Sequence, residues 1–180
     1  MDNQQVTREE IGWLAGIWDG EGTISVRRNN AIGQISPRMH IVNTNMLIIE
    51  KVVEILGNLD IRFYIAEKGQ GGFEGSNRQC YIIGVQTMLY ADKLINILYP
   101  YLIGKRVQAK LLKSFLSSRL NRKVVEGRNC KYNDMELESI EKLYLSNGNQ
   151  RGSSETIREM RLALAKNRND IVQALVKASG

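Results

Sequence analysis

Gly12, Gly16 and Gly20 recur at every fourth position of a stretch that otherwise asks for an α-helix. Thr7 to Glu10 has the form of a capping box, a hydroxyl at the N-cap and a carboxylate three residues on, so a helix is predicted to begin near Arg8. Ile11, Leu14, Ala15 and Trp18 then repeat at helical spacing and mark an apolar face. A glycine inside a helix costs ~1 kcal/mol relative to alanine, so several in one short helix call for a compensating gain. Close approach of a second helix supplies it. The same spacing of small residues serves in membranes, but this stretch is too short and too charged at its flanks to span one. Contact between helices in water, through Gly12, Ala15 and Gly16, is the favoured reading. A surface helix merely weakened by its glycines is the alternative.

After Gly22 the period changes from helix to strand. Thr23 to Arg28 sets Ile24 and Val26 against Thr23, Ser25 and Arg27. Residues 34–42 set Ile35, Met39 and Ile41 against Gln34, Ser36, Arg38 and His40, with Pro37 marking an edge or a bulge. Residues 45–56 read as a helix with Gly57 as its stop. Strands follow at 60–66, with Ile61, Phe63 and Ile65 inward, and at 79–85, with Tyr81, Ile83 and Val85 inward. A glycine-rich hairpin tip, 69–77, joins them. Helices are predicted over 88–98, 105–119, 135–145 and 155–178.

This order predicts an α+β domain: αββαββα with an antiparallel four-stranded sheet and extra C-terminal helices. One sheet face is apolar and helix-covered, and the other forms an open polar saddle. A chain of 180 residues fits one domain, with a core at 7–120 and a helical extension at 121–180.

Lys and Arg total 25 against 19 Asp and Glu, a net charge of +6, which makes a polyanionic partner plausible. An ordinary basic soluble protein fits the charge equally well. The saddle set is Thr23, Ser25, Arg27, Asn29, Gln34, Ser36, Arg38, His40, Arg62, Tyr64, Lys68 and Arg78. It mixes cations and hydrogen-bonding groups that could read base edges in a DNA major groove. A merely solvated sheet face is the other reading. The 121–131 connection, with Arg122, Lys123, Arg128 and Lys131, could grip the DNA backbone or be a charged loop.

The two cysteines, Cys80 and Cys130, lie far apart, against a zinc module or a disulfide scaffold. His40 is the lone histidine, so a Ser-His-Asp relay has little to draw on, and hydrolysis would fall to carboxylates and metal ions. No leader pattern and no long apolar run is present, which leads to the expectation of a soluble intracellular protein without membrane contact.

Leu14-Ala15-Gly16-Ile17-Trp18-Asp19-Gly20-Glu21-Gly22 resembles the signature of the LAGLIDADG homing endonucleases, with Trp18 at the variable fifth position and Gly-Glu in place of Ala-Asp. Two carboxylates at a helix C-terminus face the negative end of its dipole, an awkward placement that a divalent cation would justify. Gly20 and Gly22 let the chain turn sharply into the strand. Ile41-Val42-Asn43-Thr44-Asn45 is similar to the family segment that places a polar side chain in the active site. Residues 100–109 resemble the stretch supplying a basic residue near the scissile phosphate, with Lys105 at the matching position. Residues 153–158 resemble a C-terminal segment of homodimeric members.

The resemblance implies a metal ion, Mg2+ or Mn2+, at Glu21 and Gly20, with Asp19 supporting the helix end. It also implies Asn43 ordering water and Lys105 stabilising developing negative charge. Asp19 and Glu21 as turn residues only, and Lys105 as a surface lysine, are the alternatives. With a single copy of the motif, a homodimer would cut both strands of a long pseudo-palindromic double-stranded DNA target. A non-cleaving protein of the same fold, such as an intron-splicing maturase, and a metal-independent DNA-binding regulator are the other functional readings.

Overall fold

The computed structural model describes residues 5–29, 34–68, 79–121 and 132–147. Helix α1 (Arg8–Glu21) leads directly into β1 (Gly22–Asn29) and β2 (Gln34–Asn43). There follow α2 (Met46–Asn58), β3 (Tyr64–Lys68), β4 (Cys80–Val85), α3 (Met88–Leu98), α4 (Arg106–Asn121) and α5 (Asp134–Ser146). The predicted helix at 155–178, the 69–77 tip and Arg78, most of the basic connection and the 153–158 segment lie outside the described residues.

The starts of α1 and α2 are chemically marked. Thr7 Oγ1 accepts from Glu10 N–H at 3.2 Å while Glu10 Oε2 accepts from Thr7 N–H at 3.0 Å, which is the predicted capping box. The other Glu10 oxygen takes Lys51 Nζ at 2.8 Å and ties α1 to α2. Asn45 caps α2 through Leu47 N–H at 3.1 Å.

The end of α2 departs from expectation. The helix runs through Gly57 to Asn58, and the residue in the left-handed region is Asp60, at φ 49°. Asp60 N–H returns to Gly57 O at 2.9 Å and Ile61 N–H to Leu56 O at 3.0 Å, a Schellman closure that places buried Ile61 near the last helical turn. A short polar side chain tolerates that conformation, so no glycine is required. The turn consumes residues 60–61, and β3 therefore begins at Tyr64 instead of residue 60.

All strand pairs are antiparallel, in the order β1-β2-β4-β3. Ile24, Met39 and Val85 share one row, and Ile41 and Ile83 the next, on the face covered by helices. These residues and Leu14, Ala15, Trp18, Val52, Leu94, Leu112 and Phe115 form one buried cluster, which α5 joins through Leu137, Ile140 and Leu143. Pro37 sits opposite Val26, beyond the stretch of β2 that β4 pairs, so its missing N–H falls where the strand has a free edge. Ile65 was expected inward and is 52% exposed, because β3 is the outer strand and packs mainly on β4. No helix among the described residues is long and apolar enough to cross a membrane.

Candidate functional site

The C-terminus of α1 and the N-terminus of α4 are stitched together by Asp19. Its Oδ2 accepts Ile103 N–H at 2.7 Å and Gly104 N–H at 3.1 Å, and its Oδ1 accepts Lys105 N–H at 2.9 Å. In return Lys105 Nζ donates to the Asp19 backbone carbonyl. Each helix end thus receives the charge its dipole favours: a carboxylate before α4 and an ammonium after α1. Asp19, expected to support the helix end, here bonds the 103–105 loop, a partner that was not legible in the sequence.

Burial pushes the Asp19 carboxyl up, but the three N–H groups and the Lys105 charge outweigh it and hold the group below the usual range. A carboxyl depressed on folding contributes stability above its unfolded value of about 4 and loses it as pH falls through the lower folded value. Asp19→Asn should therefore weaken the fold at pH 7 and flatten its acid sensitivity below about pH 4. Urea unfolding over pH 7 to 2 measures this, and a loss that does not change with pH would contradict it.

Glu21 ends α1 exposed to solvent, beside exposed Gly20, and the last turn of α1 carries no basic residue. Gly22 follows at φ −83°, ψ 162°, an ordinary extended conformation, so the turn into β1 does not draw on glycine's conformational freedom. What Gly22 supplies is room: a Cβ there would lie 2.5 Å from the Trp18 ring and 2.6 Å from the Trp18 carbonyl oxygen. Gly22→Ala should cost about 1–3 kcal/mol through overpacking, read as a lowered thermal midpoint. Unchanged stability would show that the backbone at the α1–β1 junction shifts at little cost.

Asn43 closes β2 at the end of the sheet where Gly22 pairs Ile41, so Glu21 and Asn43 arrive at the same edge. Its side-chain carbonyl accepts Asn45 N–H at 2.8 Å, which leaves the amide group for other partners. Among the described residues no group of three or more His, Cys, Asp or Glu could hold a metal ion. One chain brings Glu21 and the Gly20 carbonyl, hard oxygen donors suited to magnesium or manganese but too few to form a complete site.

Along α1 a Cβ on Gly12, Gly16 or Gly20 would meet nothing within 4 Å, so this stripe is open. Trp13 beside it is 37% exposed. Ala15, expected at the same interface, is fully buried in the chain's own core with Leu14 and Trp18. Its position one step from Gly16 turns it about 100° round the helix, inward.

Register places Thr23, Ser25 and Arg27 of β1, Gln34, Ser36, Arg38 and His40 of β2, and Tyr64 of β3 on the face away from the helices. Arg27, Gln34 and Arg38 are exposed. Ser25 and Ser36 hydroxyls donate across the rung to Arg38 and Arg27 carbonyls. His40 is the exception: it lies between Thr23 and Gly84 and is only 8% exposed, leaving little of it to meet a ligand. Gly84 makes room for Tyr64, whose ring occupies the place of a Cβ there. Arg62 is exposed ahead of β3, Asn29 closes β1 opposite Gln34, and Lys68 closes β3 opposite Cys80.

A LAGLIDADG-like domain model matches residues 8–161, and the chain belongs to that family. The fold is that of LAGLIDADG homing endonucleases. The homing endonuclease I-CvuI, solved with a DNA target in magnesium, superposes with a TM-score of 0.60 at 18% identity, over 88% of this chain and 96% of that one. The archaeal intron-encoded homing endonuclease I-Vdi141I, in complex with DNA, gives 0.54 at 19% identity, over 86% and 98%. A lysine-to-alanine mutant of I-SmaMI gives 0.55 at 17% identity, over 84% of this chain and 47% of that one. No curated protein matches the chain.

Proposed function

We propose that this chain is a site-specific DNA endonuclease that works as a homodimer. The observation that carries the reading is the exposed Glu21 carboxylate at the end of a helix whose glycine stripe is open, where β1 of the polar saddle begins. Two copies packing α1 against α1 through Gly12 and Gly16 would bring both Glu21 side chains together and complete the oxygen donor set that one chain lacks. Magnesium or manganese, when held there by Glu21 and Gly20, supplies charge neutralisation at phosphate and an activated water.

The chain's own groups do the rest. Lys105, fixed by its bond to the Asp19 carbonyl, offers a cation to the developing charge on the phosphate. Asn43 directs its amide group toward the water network. Arg27, Arg38, Gln34 and Tyr64 line the face that would lie in the major groove and supply contacts to phosphates and bases.

The test is incubation of the protein with a randomised duplex library and magnesium, followed by sequencing of the ends. Recurrent ends flanking one long pseudo-palindrome, absent in EDTA, support the reading. Selective binding that never produces ends would replace it with a non-cleaving nucleic-acid-binding role. Affinity should fall steeply with salt as phosphate contacts release counterions.

A further inference from the structure

The ribbon formed by β1 and β2 is gripped from the helical side by polar groups that the chemistry at Glu21 does not use. Arg28 and Ile35 form one rung of this ribbon. Ile35 N–H donates to the Tyr132 hydroxyl at 2.5 Å. The Tyr144 hydroxyl lies beside the Arg28 backbone of the same rung. In an antiparallel pair, a rung whose two N–H groups find partners elsewhere is the non-bonded kind, with both groups pointing outward from the ribbon. Tyr132 therefore takes one outer edge of this rung, and Tyr144 is the neighbour of Arg28 at the other. Nearer the base, Asn147 Nδ2 donates to Ile24 O at 3.1 Å and to Leu143 O at 2.8 Å.

The tyrosines are themselves held. Tyr132 stacks on Phe115 with ring centroids 6.3 Å apart and lies under Arg119, whose guanidinium carbon is 4.6 Å from the ring centroid. Tyr144 belongs to α5, whose Leu137, Ile140 and Leu143 are in the core. The grip is thus anchored in the body of the domain. In register, the rungs on either side of Arg28–Ile35 are Arg27–Ser36 and Asn29–Gln34, and Arg27, Ser36 and Gln34 belong to the face away from the helices. The clamped rung lies six residues beyond Gly22, about 20 Å along an extended strand from the Glu21 end.

We infer that Tyr132, Tyr144 and Asn147 are positioning residues that fix the pose of the β1–β2 ribbon and so set base-pair discrimination in the outer part of each half-site. The inference rests on the DNA-reading function proposed above. A two-stranded ribbon twists easily, and a hydrogen-bonding side chain must be held within a few tenths of an ångström to separate one base edge from another. The chemistry at the far end of β1 does not depend on that pose.

The double variant Y132F/Y144F removes only the two hydroxyls and keeps both rings in place. Three readouts apply: amide exchange at Arg28 and Ile35, discrimination against single base-pair changes along the selected target, and kcat on that target at saturation. We expect faster exchange at both amides and about tenfold weaker discrimination at outer positions, with inner discrimination and kcat unchanged. Unaltered exchange, or unaltered outer discrimination, overturns the inference. A uniform loss at every position together with kcat and thermal stability also overturns it, since that is what a purely structural role would produce. N147A, which leaves both tyrosines intact, provides a milder version should the double variant fold poorly. If the wild-type protein selects no duplex, the parent function fails first, and the specificity role falls with it whatever the exchange data show.

Discussion

Glu21→Gln should lower DNA cleavage by about a thousand-fold or more while leaving the fold and DNA affinity intact. The size follows from what the carboxylate is asked to do. In the metal-binding role proposed for it, loss of the charged ligand would forfeit several kcal/mol of electrostatic stabilisation at phosphate, and each 1.4 kcal/mol or so is a factor of about ten in rate. The fold should not notice, because Glu21 is exposed and takes part in no hydrogen bond or ion pair among the described residues. Glutamine matches its shape and merely removes a negative charge at the end of α1, where the dipole disfavours one. Without metal, affinity for duplex DNA should be equal or slightly higher, since a carboxylate facing phosphates is repulsive. The measurement is single-turnover cleavage of the selected target beside equilibrium binding in EDTA. Cleavage retained within tenfold would remove Glu21 from the metal-binding role; loss of binding in parallel would point to a structural one.

The second large effect concerns stability. Glu136 is fully buried, yet its Oε1 accepts from Ser118 Oγ at 2.9 Å and its Oε2 from Asn133 N–H at 2.9 Å, with Arg119 at 3.8 Å. Asn133 Oδ1 returns the bond to Glu136 N–H at 2.8 Å, which closes a capping box at the start of α5. Glu136→Ala strips the cap and leaves Arg119, itself only 14% exposed, without this carboxylate. Removing one member of a buried pair typically costs about 3–5 kcal/mol, a large part of the ~5–15 kcal/mol that holds a domain together. Urea unfolding should show a lower midpoint, and Glu136→Gln, which keeps an acceptor for Asn133 N–H but loses the charge facing Arg119, a smaller loss by the worth of the retained cap. A loss below about 1 kcal/mol for the alanine variant would mean that water or Arg119's other contacts, the Tyr132 ring among them, answer its charge.

These two glutamates also separate what could be read early from what could not. Glu21 stood out in the sequence because it closes a nine-residue signature between a helical period and a strand period. Glu136 sits in an equally readable N-cap pattern, Asn133 to Glu136, but nothing local says that Ser118 and Arg119 on another helix would reach it. The same limit explains Ala15. Helical spacing set it on the apolar face with Leu14 and Trp18 as well as at the helix–helix contact, and only packing shows that it lies wholly in the chain's own core. It explains His40 as well, since alternation put it on the saddle and only the neighbouring strands decide how much of it remains exposed. At Gly57 and Gly22 the residue type suggested backbone freedom, whereas the chain uses Asp60 for the left-handed turn and Gly22 for space.

Sequence by itself determined the order of helices and strands, the polar and apolar sides of β1 and β2, the capping of α1 and the signature that carries the family, because periodicity and capping are local interactions within a few residues. Tertiary structure alone decided that Asp19 holds the α4 start 84 to 86 residues away, that Tyr132 reaches Ile35 across 97 residues, and that the glycine stripe is left open. Those contacts join segments whose separation along the chain carries no local signal. They exist only once burial of the common core has fixed where each element lies.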